Sequence, residues 1–406
     1  MLVVLIFLIT SRSDYARVSY LDNVAGKHKF SLALWEIQHL PLKWSHLVWE
    51  MFPGNKSSDE ERKEIVTEYL SIVRKLNIYE EQVGTSQTLS NPKYLSAIES
   101  LEIERKMLKA RAEEAIESIL SEVIQQQGLG LPFGILLPPT DFHFGSPPHI
   151  LVTSPRDVIK LSGTKLIKPS ITGAERHSLE KSAESDGKTS ALVDDLAGLG
   201  TYPAIVSDST SLRNLLRTAA HEWLHNYWIL HPLGRNMWDS TEMRTINETS
   251  ANIAGNEIGD LAFQLMGEDL SDSINKYKHQ SALSHWDNQL IETRKEVDRL
   301  LSLNEIEKAE KLMKEKTWEL RLAGYGVRKI NQAYFAFRGQ YADGPASTST
   351  AGKDLQEYRS YFPDVGSFIR SISTVSSNKQ FLKLLNGKRG DDPNPTALQQ
   401  HSRIRE

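Results

Sequence analysis

Five residues, His221-Glu-Trp-Leu-His225, constrain this chain more than any others. Imidazoles four residues apart lie on one face of a helix, a turn from each other, so both can present a ring nitrogen to one tetrahedral zinc. Glu222 then stands beside a metal-activated water without having to ligate the metal. Upstream, Asp208, Ser209 and Thr210 offer N-cap oxygens. Leu212, Leu215, Leu216, Ala219 and Trp223 recur at steps of three and four, which predicts a helix with a buried stripe. The alternative for the two histidines is ordinary polar contact on a helix surface.

A site of this kind takes a third protein ligand and leaves its fourth position for water. His231 is one candidate. A helix running on toward Leu230 turns it away from the face of His221 and His225, and Pro232 beside it marks a helix stop. Glu248 is the better candidate. It lies in Asn247-Glu-Thr-Ser-Ala-Asn252, which opens a second helix extending to about Met266. Asn252, four residues on, shares its face and can hydrogen-bond a ligand histidine. Gly255 and Gly259 continue the stripe. Glycine inside a helix costs roughly 1 kcal/mol relative to alanine, so the pair points to close approach of the helix carrying His221 and His225. Glu257 and Asp260 are reserves on the same helix.

On these residues the chain resembles the gluzincin superfamily of metallopeptidases. Their pattern is HExxH followed, some tens of residues later, by a helix bearing ExxxD whose glutamate is the third zinc ligand. The likeness covers residues 200 to 266 and departs from the pattern by carrying Asn252 in place of the aspartate. An amide accepts a hydrogen bond from imidazole but does not raise its basicity as a carboxylate does. The glycine-Met-Glu-Asn motif of one large aminopeptidase family is missing from the sequence. The resemblance implies one Zn2+ per chain on His221, His225 and Glu248, with Glu222 as general base in peptide-bond hydrolysis.

Residues 128–207 change to short apolar runs between Pro, Gly and Ser: Ile135 to Leu137, His149 to Thr153, Val158 to Leu161, Lys165 to Ile167 and Ala204 to Val206. These predict a small sheet, with the strand at 201–206 on its edge because of Pro203. Such an edge beside a metal site could pair with an extended peptide. A sheet followed by the HExxH helix is also the superfamily's order. The expected class is therefore α+β and mostly helical, with a zincin-like core at 128–270. Helical regions at 28–127 and 271–386 flank it, after an N-terminal segment at 1–27 and before a polar tail at 387–406. Helices are expected over 58–76, 91–127, 284–302, 304–338 and 364–386, and a flexible loop at 342–353.

A peptidase also needs a donor for the developing oxyanion. Asn331, Tyr334, Arg338 and Tyr341 share one helical stripe, and Tyr334 is nominated first, Arg338 second. A polar surface stripe is the alternative.

The 406 residues are 39% hydrophobic and 25% charged, with a formal net charge of -4, which gives no electrostatic ground for nucleic-acid binding. There is no cysteine, so thiolate metal sites, disulfides and cysteine nucleophiles are excluded. Met1 to Thr10 is an unbroken apolar run too short to cross a bilayer of roughly 30 Å as a helix. It reads as a membrane anchor or the end of a longer one, with a signal remnant and a buried terminal strand as alternatives. The expectation is a membrane-associated zinc metallopeptidase with a peptide or protein substrate. A membrane-anchored helical interaction protein, whose metal site is structural or inactive, is the competing reading.

Overall fold

The computed structural model describes residues 20–39, 58–83, 92–271 and 281–391. The apolar run 1–10 and the end of the polar tail lie outside the described residues. The chain is mostly helical with two small sheets. It begins with α1 (Tyr20–Ala25) and α2 (residues 32–39), followed by two long helices, α3 (Asp59–Val83) and α4 (Pro92–Gln126). Val66, Tyr69 and Val73 of α3 bury against Ile116, Leu120 and Val123 of α4, as the helical spacing of both segments requires.

Six strands follow. β1 (Phe142–Phe144), β5 (Gly198–Leu199) and β6 (Ala204–Val206) form one sheet in the order β1-β6-β5, with β1 parallel and β5 antiparallel to β6. The other sheet is antiparallel, in the order β3-β2-β4, from β2 (His149–Pro155), β3 (Gly163–Ile167) and β4 (Thr189–Asp195). Three expectations change here. The strand 204–206 is central and not an edge; the edge is the two-residue β5. The runs at 135–137 and 158–161 form no strand, and Ile135 and Val158 are 57% and 48% exposed. β1, β4 and the intervening helix α5 (Gly173–Ala183) complete this region, and α5 opens with a capping box between Thr172 and Glu175.

The segment bearing His221 is α6 (Leu212–Trp228), capped by Ser211 and not by the three residues before it; Ser211 Oγ accepts from Asn214 N. After the short α7 (Pro232–Arg235) comes α8 (Thr241–Leu265). α8 starts six residues before Asn247, because Ser240 caps it and Met243 and Ile246 are buried. α6 is fixed by its tryptophans: Trp223 Nε1 donates to Pro138 O at 3.0 Å and Trp228 Nε1 to Ser373 Oγ at 2.8 Å.

The C-terminal part holds α9 (Ser281–Ser302), α10 (Ile306–Leu322), α11 (Gln332–Arg338), α12 (Ala351–Ser360), α13 (Val365–Ile372) and α14 (Asn378–Asp391). The single helix expected over 304–338 is two, divided at Gly324 with φ +88° and restarted by the Asn331 cap. One apolar core joins α3, α4, α6, α8 and α12 to α14, while α9 and α10 build a second with Phe335 of α11. Among the described residues no helix is long and apolar enough to cross a membrane.

Candidate metal centre

α6 and α8 cross at a glycine seam. A Cβ at Gly255 would sit 2.9 Å from His221 Cα, and one at Gly259 2.6 Å from Arg217 Cα, so only hydrogen fits at either position. The close approach brings Glu248 to the histidine face. His225 Nε2 lies 3.0 Å from His221 Nε2, and Glu248 Oε2 lies 3.6 and 3.5 Å from the two rings. A tetrahedral centre with 2.0–2.1 Å bonds has ligand atoms about 3.3–3.4 Å apart. The three atoms therefore fit one metal ion in both donor type and spacing. Among the described residues this is the one His/Asp/Glu group so arranged.

The electrostatics of the group follow from its burial. Burial alone would raise Glu248, but the His225 charge and hydrogen bonds from both imidazoles hold its carboxyl well below the usual range. Burial opposes a charged His225, yet Glu248 more than reverses this and raises its pKa, with smaller contributions from Glu222 and the Asn247 side chain. A metal ion would replace that proton, since imidazole ligates only in its neutral form.

Glu222 is buried beside the triad and next to β5. Its pKa is raised by burial, the two imidazoles pull against that, and Glu248 adds to it. β5 lies directly on this side chain: a Cβ at Gly198 would meet Glu222 Oε1 at 2.5 Å, and one at Gly200 would meet His225 Cβ at 3.1 Å. The strand's exit is tied to α6, because Asn226 Nδ2 donates to Thr201 O at 2.9 Å while Thr201 Oγ1 donates to Glu36 of α2 at 2.6 Å. A cleft of about 510 Å³ opens here, lined by Gly198, His221, Glu222, Asn252, Arg338 and Tyr341 among others. A cavity of similar size, about 530 Å³, lies by Arg156, Glu310 and Lys329 and holds none of these groups.

The other nominated residues fall in different places. Arg338 lines the cleft, but its Nε donates to Asp194 Oδ2 at 2.8 Å. Tyr334 does not line it; its ring packs against the apolar cluster of Val152, Leu192, Ala333 and Phe337. Asn331 caps α11 and donates from Nδ2 to Ala191 O at 2.8 Å. Asn252 lines the cleft and donates to Asp343 Oδ1 at 3.2 Å, while Asn247 is the amide beside His225. His231 points elsewhere, with Nδ1 2.9 Å from Tyr227 O. Glu257 pairs with Arg359, and Asp260 with Arg213 and Arg217.

The sequence places Tyr341 in the candidate stripe without nominating it, and Asp343 was missed. Tyr341's ring centroid is 6.4 Å from that of His221, and its hydroxyl lies close enough to Glu248 and Glu222 to feel both charges. Burial, with the Glu248 and Glu222 charges, holds this hydroxyl well above its usual pKa, so it stays protonated and can donate. Asp343 is raised by burial and opposed by its bond from Asn252 and by the nearby His221.

Compared with family models, curated proteins and solved structures, the chain gives no match.

Proposed function

We propose that the protein is a zinc-dependent metallopeptidase of gluzincin type, with a zincin-like core formed by the two sheets, α6 and α8. The observation that carries this reading is the spacing of His221, His225 and Glu248, with Glu222 beside them at the wall of an open cleft. Two imidazoles and one carboxylate are the donor set of catalytic zinc sites that keep a position open. Zinc on these residues supplies Lewis acidity that makes water a nucleophile at neutral pH.

The chain's own groups do the rest. Glu222 Oε takes the proton of the attacking water and returns it to the leaving amine. Gly198 and Gly200 let β5 press on Glu222 and hold its carboxylate in place. The protonated Tyr341 hydroxyl is the donor best placed for the developing oxyanion, a role worth about 3–4 kcal/mol in well-studied hydrolases. Asn247 stands beside His225, and Asp343 close enough to His221 to feel its charge.

A peptide-library digest with the zinc-loaded chain tests this reading. Cleavage by the wild type, abolished in Glu222→Gln with zinc retained, is expected. A chain that cleaves nothing and unfolds when zinc is removed would instead be an interaction protein with a structural site.

A further inference from the structure

Tyr341 lies in the connection between α11, which ends at Arg338, and α12, which begins at Ala351. Its ring is loosely packed. The ring centroids of His221 and Phe337 are each 6.4 Å away, near the long end of aromatic contact. The backbone beside it is held more closely. Ala342 N donates to Thr249 Oγ1 at 2.9 Å, and Thr249, the residue after Glu248 on α8, is fully buried. From the other side α12 closes on the same residue: a Cβ at Gly352 would stand 2.2 Å from Ala342 O. A second tie to α8, from Asn252 Nδ2 to Asp343 Oδ1, is 3.2 Å long, at the upper end of the hydrogen-bond range.

The Thr249 tie acts close to the tyrosine. The Ala342 nitrogen is separated from Tyr341 Cα only by the rigid peptide carbon, so fixing that nitrogen fixes where the tyrosine side chain starts. Thr249 and Glu248 are successive residues of one helix, so the same turn of α8 sets the metal ligand and the place of the loop beside it. Valine has threonine's shape without the hydroxyl. In Thr249→Val the Ala342 N–H would face a buried methyl group, and the loop would have to shift to satisfy it. We infer that Thr249 is a positioning residue: by accepting the Ala342 N–H it holds Tyr341 against His221 and Glu248, where its hydroxyl meets the developing oxyanion. This inference rests on the metallopeptidase reading and adds to it the residue that sets the donor's place.

The test combines kinetics of the full zinc-loaded chain, on a peptide found in the library digest, with amide hydrogen exchange of the same preparations. Thr249→Val should lower kcat roughly ten-fold and leave KM within about two-fold, and Thr249→Ser, which keeps the acceptor, should restore most of the loss. In a Tyr341→Phe background Thr249→Val should cost less than about two-fold, because the hydroxyl it positions is already gone. Exchange in peptides spanning residues 339–346 should quicken roughly ten-fold in Thr249→Val, with zinc content and melting temperature close to wild type. Unchanged kcat, a loss that adds in full to that of Tyr341→Phe, no rescue by serine, or unchanged exchange overturns the inference. Loss of zinc in Thr249→Val also overturns it, since the residue would then act on the metal ligand and not on Tyr341. The peptidase reading fails separately: in a chain that cleaves no peptide, faster exchange in Thr249→Val keeps Thr249 as the tether of Tyr341, and unchanged exchange removes it.

Discussion

Replacing Gly255 with alanine should loosen the metal far more than it destabilises the fold. The new Cβ would stand 2.9 Å from both the Cα and the backbone N of His221 and 3.1 Å from its Cβ. Carbon atoms rest at about 3.5 Å or more, so α6 and α8 must separate by about 0.6 Å at this point. No flexible side chain can absorb the shift, because the closest atoms are backbone. Overpacking of this kind costs about 1–3 kcal/mol, and alanine returns roughly 1 kcal/mol of helix propensity, leaving a net loss of about 0–2 kcal/mol. The ligands straddle the same seam, His221 on α6 and Glu248 on α8, with 3.6 Å between the donor atoms. Metal sites tolerate errors of about 0.2 Å, so zinc affinity should fall about 10- to 100-fold. Competition against a chromophoric chelator reads the affinity, and thermal unfolding of the metal-free chain reads the stability. Gly259→Ala is the control: its clash with Arg217 Cα is tighter, at 2.6 Å, but lies a turn further from the ligands. It should cost more stability and less zinc affinity. A folded Gly255→Ala chain that binds zinc within two-fold of wild type would refute the reasoning.

Three further outcomes are expected. Gly198→Ala, whose Cβ would overlap Glu222 Oε1, should lower peptide turnover at least about 100-fold with zinc retained; unchanged turnover would remove β5 from the positioning of Glu222. Tyr341→Phe should lower kcat about 100-fold with little change in KM, whereas Tyr334→Phe should leave both unaltered; the reverse pattern would restore Tyr334 as the donor. Asp260→Asn tests an ion pair that supports the α6–α8 seam. Burial works against the charge, but the hydrogen bonds from Arg213 and Arg217 win and hold the Asp260 carboxyl below its usual value. Its stabilisation is therefore complete above the ordinary aspartate pKa and is lost as pH falls through the lower native one. The variant should be less stable by about 1–2 kcal/mol near pH 7, after allowance for solvent screening, and the gap should close in acid. A gap in denaturant midpoints that stays constant down to pH 3 would count against this pairing.

The helix of His221 and His225 was legible because its chemistry and packing share one period, with Leu215, Leu216 and Ala219 buried on the stripe the sequence displays. Gly255 and Gly259 were legible for the opposite reason, since a helix keeps two unfavourable residues only where another backbone needs the space. The oxyanion donor was not. Counting on from Tyr334 to Tyr341 assumes a continuous helix, but α11 ends at Arg338 and the chain turns, so Tyr334 faces the sheet and Tyr341 reaches the triad. The partner of Asn252 was hidden likewise, because Asp343 lies ninety-one residues away in sequence and no local period connects them. β4, Thr189 to Asp195, has a fully apolar middle and no alternation, which leaves a short buried strand without a recognisable pattern. The α5 helix did carry a local signal, the Thr172 and Glu175 capping box.

Zinc stoichiometry, measured by elemental analysis on the metal-replete chain, bears most directly on the metal centre. Wild type, Glu222→Gln and His231→Ala should each hold one zinc per chain, and Glu248→Ala should hold none. A wild type without zinc, or a Glu248→Ala chain that keeps its zinc, would contradict the site formed by His221, His225 and Glu248.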